Sequence, residues 1–161
     1  MKPLLLAVFS FVSLMIIGSA VTPVSAGVAT KTTFKDPSLK AKILGKHMLS
    51  LQWLQFTNNE FGSATVTEKD GLLLLKGEQQ HKGKGGGYLK VDGRIIEVTA
   101  DSFKFNGKIL TSVDHINDGQ ECVREGDMTF LAKGKRKYWR LQEMKSPCSE
   151  VTDYVDVYFK K

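Results

Sequence analysis

The stretch Tyr88-Leu89-Lys90-Val91-Asp92-Gly93-Arg94-Ile95-Ile96-Glu97-Val98 decides how the chain is read. Apolar and polar residues alternate on both sides of Asp92-Gly93, which is the period of a half-buried strand, and Asp-Gly is a favoured two-residue hairpin turn. Read as a hairpin, the unit sets Val91 opposite Arg94 and Leu89 opposite Ile96, so Leu89, Val91, Ile96 and Val98 share one face. Tyr88, Lys90 and Glu97 hold the other face, with Ile95 the exception. Phe103-Lys104-Phe105, Asn106-Gly107 and Lys108 to Val113 read the same way, because Asn-Gly supplies the two positive φ angles of a tight turn.

Outward from there the same period recurs. His47 to Phe56 sets Leu49, Leu51 and Trp53 on one face; Ala64 to Thr67 alternates again, and Asp70-Gly71 turns the chain into Leu72 to Gly77. His81 to Gly87 reads as a loop. Met128 to Leu131 and Lys137 to Leu141 read as strands joined through Lys133-Gly134-Lys135-Arg136. In the last strand, Asp153 to Phe159, Val155, Val157 and Phe159 face inward and Tyr154, Asp156 and Tyr158 outward. Before all of these, Asp36-Pro37 suits the cap and first position of a short helix over Pro37 to Leu44, ended by Gly45. Eight or nine short strands with turn-sized connections exclude a parallel sheet, whose crossovers need about a dozen residues or more. The expected fold is an all-β, antiparallel up-and-down barrel with a short N-terminal helix. A β-sandwich is the alternative, but closure into a barrel leaves no exposed edges.

The 161 residues are 42% apolar and 25% charged, which excludes an intrinsically disordered chain. Residues 1–26 read as a signal peptide: Met1-Lys2 as the positive start, Leu4 to Ile17 as the apolar stretch, and Gly18 to Ala26 as the small-residue end, with cleavage after Ala26, or after Ala20 as second choice. Residues 27–42 form an arm and short helix, and 43–161 one barrel domain. Loss of Lys2 with the leader takes the formal charge from +6 to +5. The expected location is the periplasm or the exterior, with no transmembrane segment left after cleavage. Cys122 and Cys148, an even count in an oxidising compartment, read as one disulfide.

A short helix, then Gly45-Lys46-His47 opening the first strand, then about eight up-and-down strands, resembles the lipocalin and calycin superfamily. Its members carry Gly-x-Trp at that place, and His47 stands here where the tryptophan belongs. The resemblance implies a barrel that binds a small apolar molecule, and its one motif residue, Gly45, carries over no lining residue.

The chemistry-bearing residues point to binding. His47, His81 and His115, spaced 34 residues apart, would form a three-histidine zinc site only if they met at one barrel end; no carboxylate or supporting pattern accompanies them, and no metal or cofactor is expected. Gly77 to Gly85 departs from the phosphate-loop spacing, and no Gly-x-Ser-x-Gly elbow or distinguishable carboxylate pair occurs, so no enzyme is expected. Two basic runs, Lys82 with Lys84, and Lys133, Lys135, Arg136 and Lys137, are candidate anion-contact loops. If the last two strands pair, Tyr138, Arg140, Tyr154 and Tyr158 form one outward patch suited to a protein or glycan partner. The expected activity is therefore that of an exported, monomeric binding protein holding a small apolar ligand. The alternative is an interaction module or enzyme inhibitor that uses the outer aromatics and basic loops. No nucleic-acid partner is expected.

Overall fold

The computed structural model describes residues 29–55, 61–81, 83 and 86–160. The expected leader, Phe56, Lys82 and Lys84 lie outside the described residues. Nine strands and two short helices follow in order: β1 (Thr33–Phe34), α1 (Leu39–Ile43), β2 (Gly45–Leu51), α2 (Gln52–Gln55), β3 (Gly62–Lys69), β4 (Leu72–Gln80), β5 (Gly87–Val98), β6 (Ser102–Val113), β7 (Cys122–Leu131), β8 (Tyr138–Leu141) and β9 (Val155–Tyr158). From β2 to β9 each strand pairs antiparallel with the next, and β9 returns to β2. The result is a closed, eight-stranded up-and-down barrel, not a sandwich. β1, from the N-terminal arm, adds in parallel beside the end of β5.

The two hairpins expected at Asp92-Gly93 and Asn106-Gly107 do not exist. Both dipeptides lie inside long strands, and the chain turns instead at Thr99 to Asp101, where the Thr99 N–H donates to the Ser102 carbonyl at 2.8 Å. Register explains the difference. Gly93 pairs with Gly107, and Gly107 with Gly126, so three glycines form one cross-strand row. A Cβ on Gly93 would lie 2.6 Å from Phe105 Cζ, and one on Gly107 2.7 Å from the same atom. The glycines make room for an aromatic ring laid over the strands, a known use of glycine in a strand interior. The polar residues beside them form a matching outer row, in which Arg94 Nη2 donates to Asn106 Oδ1 at 2.6 Å and Asn106 Nδ2 to Asp127 Oδ1 at 2.7 Å. A bulge between Ile95 and Glu97 shifts the alternation, so Leu89, Val91, Ile95 and Val98 are the buried set and Ile96 is not. Asp70-Gly71 is a true two-residue turn, with φ of 54° and 83°.

Two other boundaries move. β2 stops at Leu51, and the expected strand continues as the helical turn α2, which carries Trp53 out of the alternation. α1 starts at Leu39, because the Asp36 carboxylate accepts the Ser38 N–H at 2.8 Å and caps the preceding turn. That bond holds the Asp36 carboxyl below its usual range. α1 plugs one end of the barrel with Ile43, and α2 covers the other with Leu54.

The inner face is packed with side chains. Phe103 and Phe130 stack at 4.7 Å, Trp139 meets Phe103 edge-on at 5.6 Å, and Phe105 meets Phe130 at 6.0 Å. Phe103, Phe105 and Phe130 are at most 1% exposed and Trp139 2%. Each such side chain stabilises the fold by about 1.5–3 kcal/mol relative to exposure. Phe159, expected to face inward, is half-buried against Trp139 at 4.4 Å.

Candidate interaction surface

β8 and β9 do pair, Tyr138 opposite Tyr158 and Arg140 opposite Asp156. Alternation sends Trp139 and Val157 into the core and leaves Tyr138, Arg140 and Tyr158 outside. Arg140 grips Asp156 with both arms of its guanidinium, Nε to Oδ1 at 2.8 Å and Nη2 to Oδ2 at 2.7 Å. These hydrogen bonds hold the Arg140 pKa above its ordinary value. The guanidinium carbon stands 4.1 Å from the Tyr154 ring centre and 5.2 Å from that of Tyr138. Tyr138 and Tyr158 lie 5.2 Å apart, and Phe61 meets Tyr158 edge-on at 5.2 Å. Side-chain exposure is only 6% for Asp156 and 17% for Arg140, so the ion pair sits beneath a roof of aromatic rings.

The structure thus brings Tyr138, Arg140, Tyr154 and Tyr158 into one cluster. Two members escape the sequence reading: Asp156, whose outward position was legible but whose partner was not, and Phe61, which enters only through the register of β3 on β2. Of the basic loops, Lys133, Lys135 and Lys137 are exposed on the β7–β8 turn, and Arg136 lies 5.7 Å from the Tyr138 ring, at the border of the cluster.

A second polar group faces the other way. Arg124, on the inward side of β7, donates to the Lys145 carbonyl at 2.8 Å and lies 3.3 Å from Asp153 Oδ2, while the Trp53 indole N–H donates to Asp153 Oδ1 at 3.1 Å. Cys122 and Cys148 form a disulfide with Cα atoms 5.8 Å apart. Together these bonds fasten the 142–154 loop over the place where β8 separates from β7, since those strands pair only at Phe130–Leu141 and Leu131–Arg140. Closing a loop of 26 residues' separation stabilises the fold by about 3.5 kcal/mol in the chain-entropy view.

The histidines are dispersed. His47 is buried near α1, its ring nitrogens 2.7 Å from the Ile43 carbonyl and 2.8 Å from that of Tyr158. His115 sits at the opposite end beside Asp114, and its hydrogen bond holds the Asp114 carboxyl below the usual range. Among the described residues no group of three or more His, Cys, Asp or Glu could hold a metal ion. Among them, too, no helix is long and apolar enough to cross a membrane.

A family model for the PM1083 family matches residues 31–159, which takes in every strand of the barrel and the whole aromatic cluster. The chain belongs to the PM1083 family. A relative within it, an uncharacterized protein of Pasteurella multocida (strain Pm70), is 40% identical over 121 residues, covering 75% of this chain and 76% of the relative. No solved structure matches. The lipocalin and calycin resemblance therefore stands at the level of a shared barrel shape, and no family or structural match extends it.

Proposed function

We propose that this PM1083-family chain is an exported, non-enzymatic binding protein that recognises its partner through the outer face of β8, β9 and β2, and not through the barrel interior. The observation that carries this reading is the desolvated Arg140–Asp156 pair held among Tyr138, Tyr154, Tyr158 and Phe61. An arginine placed among tyrosines is the composition of binding hot spots, and a fork-held guanidinium keeps the rings in fixed positions before a partner arrives. The packed inner aromatics argue against the other expectation, a small apolar ligand in the barrel, which has the fold class alone in its favour. A disulfide and a leader-like start support export.

Affinity capture from the native host tests the reading. The unaltered chain should retain a partner that Arg140→Ala with Tyr154→Ala loses by at least about tenfold, or about 1.4 kcal/mol. Equal capture by both proteins would sink it.

A further inference from the structure

We infer that the partner is a polyanionic glycan, a hydroxyl-rich chain bearing carboxylate, sulfate or phosphate groups. The inference rests on the surface reading above and adds the chemistry of what is bound. Its basis is a row of cations running alongside the tyrosines. β2 and β9 pair as far as Leu49–Val157, and beyond that pair Lys46 and Lys160 line one hollow. Tyr138 pairs with Tyr158, and Arg136, two residues on, lies toward the same end of the strands. The Phe159 N–H donates to the Lys137 carbonyl at 2.8 Å, which carries the pairing to that point. Neighbouring strands lie about 4.8 Å apart, so Arg136, Lys160 and Lys46 step across about 10 Å of surface, one row from Tyr138 and Tyr158.

The row is built, and among the described residues no carboxylate pairs with it. Lys160 Nζ donates to the carbonyls of Ala41 and Leu44 at 2.6 and 2.7 Å, which fixes its ammonium at the end of α1. Lys46 and Lys160 line a hollow of about 300 Å³ whose other walls include Met48 and Phe159. Among the described residues no carboxylate lies within 4.0 Å of Lys46, Arg136 or Lys160, nor of Lys133, Lys135 or Lys137 on the adjoining turn. By contrast Lys40, Lys76, Lys104 and Lys108 each hold one.

Charge alone would suit an acidic protein equally, and the tyrosine-rich make-up of the surface decides between them. The exposed large apolar side chains among the described residues are Phe61, Tyr154 and Val123, and Val123 is at the α2 end of β7. Phe61 and Tyr154 belong to the cluster, whose other rings, Tyr138 and Tyr158, are half-buried and end in hydroxyls, so the surface is built mainly of tyrosine. Tyrosine rings offer flat faces to the C–H faces of sugar rings and hydroxyls to their oxygens, while the cation row meets acidic groups spaced along the chain. The charge of Arg140 is already met by Asp156, so Arg140 serves to position the rings of Tyr138 and Tyr154.

The test uses the full chain with its disulfide intact, titrated at about 50 and about 300 mM salt. The probes are polygalacturonate, heparin, neutral dextran, poly-L-glutamate and phosphatidylglycerol vesicles. The expected result is binding to polygalacturonate or heparin at least about tenfold tighter than to dextran, polyglutamate or vesicles, and weaker at the higher salt. Lys46→Gln with Arg136→Gln should weaken it about tenfold, and Tyr154→Ala should weaken glycan binding with no effect on residual polyglutamate binding. Preference for polyglutamate would assign an acidic protein, preference for vesicles a lipid surface, and equal binding to dextran would remove the role of charge. Each of these, or no binding to any probe, overturns the inference. If a variant proves unfolded by near-ultraviolet circular dichroism, the ranking of probes on the unaltered chain still decides. If Arg140→Ala with Tyr154→Ala loses the host partner while the unaltered chain prefers polyglutamate, the surface reading stands and the glycan inference falls.

Discussion

Two arginine–aspartate pairs hold this barrel, and they differ in every respect that matters. Arg140 and Asp156 meet outside, through two hydrogen bonds of 2.7 and 2.8 Å, under tyrosine rings that reach solvent. Arg124 and Asp153 meet inside, through a single 3.3 Å contact, with side chains 9% and 5% exposed and the Trp53 indole and Lys145 carbonyl as further partners. The inner pair fastens a loop where two strands part; the outer pair ties β8 to β9, which their backbone pairing already joins. A well-formed ion pair laid beneath aromatic rings, on strands the backbone already joins, is what one expects of a surface kept for recognition.

Substitutions break that comparison in a definite order. Asp153→Ala leaves the Arg124 guanidinium buried without its carboxylate and should cost about 4 kcal/mol in urea unfolding. Cys122→Ser with Cys148→Ser frees the same loop and should cost about 3.5 kcal/mol. Because both changes release residues 142–154, their combination should cost less than the sum, which a double-mutant cycle measures. Arg140→Met should cost only about 2 kcal/mol, since Asp156 can regain water once the rings part, yet it should cost far more in partner binding than in stability. If Arg140→Met destabilised the fold as strongly as Asp153→Ala, the contrast between the pairs would vanish.

Acid supplies the smallest effect. Lys104 holds the Glu97 carboxyl below its usual range, as the Ser38 N–H does for Asp36 and His115 for Asp114. Depressed carboxyl values contribute stability above the unfolded-state pKa and lose it as pH falls through the folded one. Thermal stability should therefore be flat near neutrality and decline modestly below about pH 4. All three groups lie on the outer surface, so Lys104→Gln should remove only part of that decline.

Alternation alone made the outer cluster legible, because period two along Lys137 to Leu141 and Asp153 to Phe159 assigns Tyr138, Arg140, Tyr154 and Tyr158 to one side whatever the neighbours are. It could not show that Asp156 meets Arg140, or that Phe61 meets Tyr158, since both depend on strand register. The absence of hairpins at the two dipeptides has the same cause. Asp92-Gly93 and Asn106-Gly107 look like turns because a polar residue before glycine satisfies a turn locally, but in this barrel the polar residue belongs to an outer hydrogen-bonded row and the glycine to the space beneath Phe105. Trp53 leaves the expected strand on the helical turn α2, where Asp153, a hundred residues on, accepts its indole N–H, a contact that no local pattern shows.

The central claim is that binding happens on the outside of a filled barrel. Solvent extraction and mass spectrometry of the chain purified from its native host test it most directly. The account predicts no apolar compound in stoichiometric amount; one apolar molecule recovered per chain would contradict it.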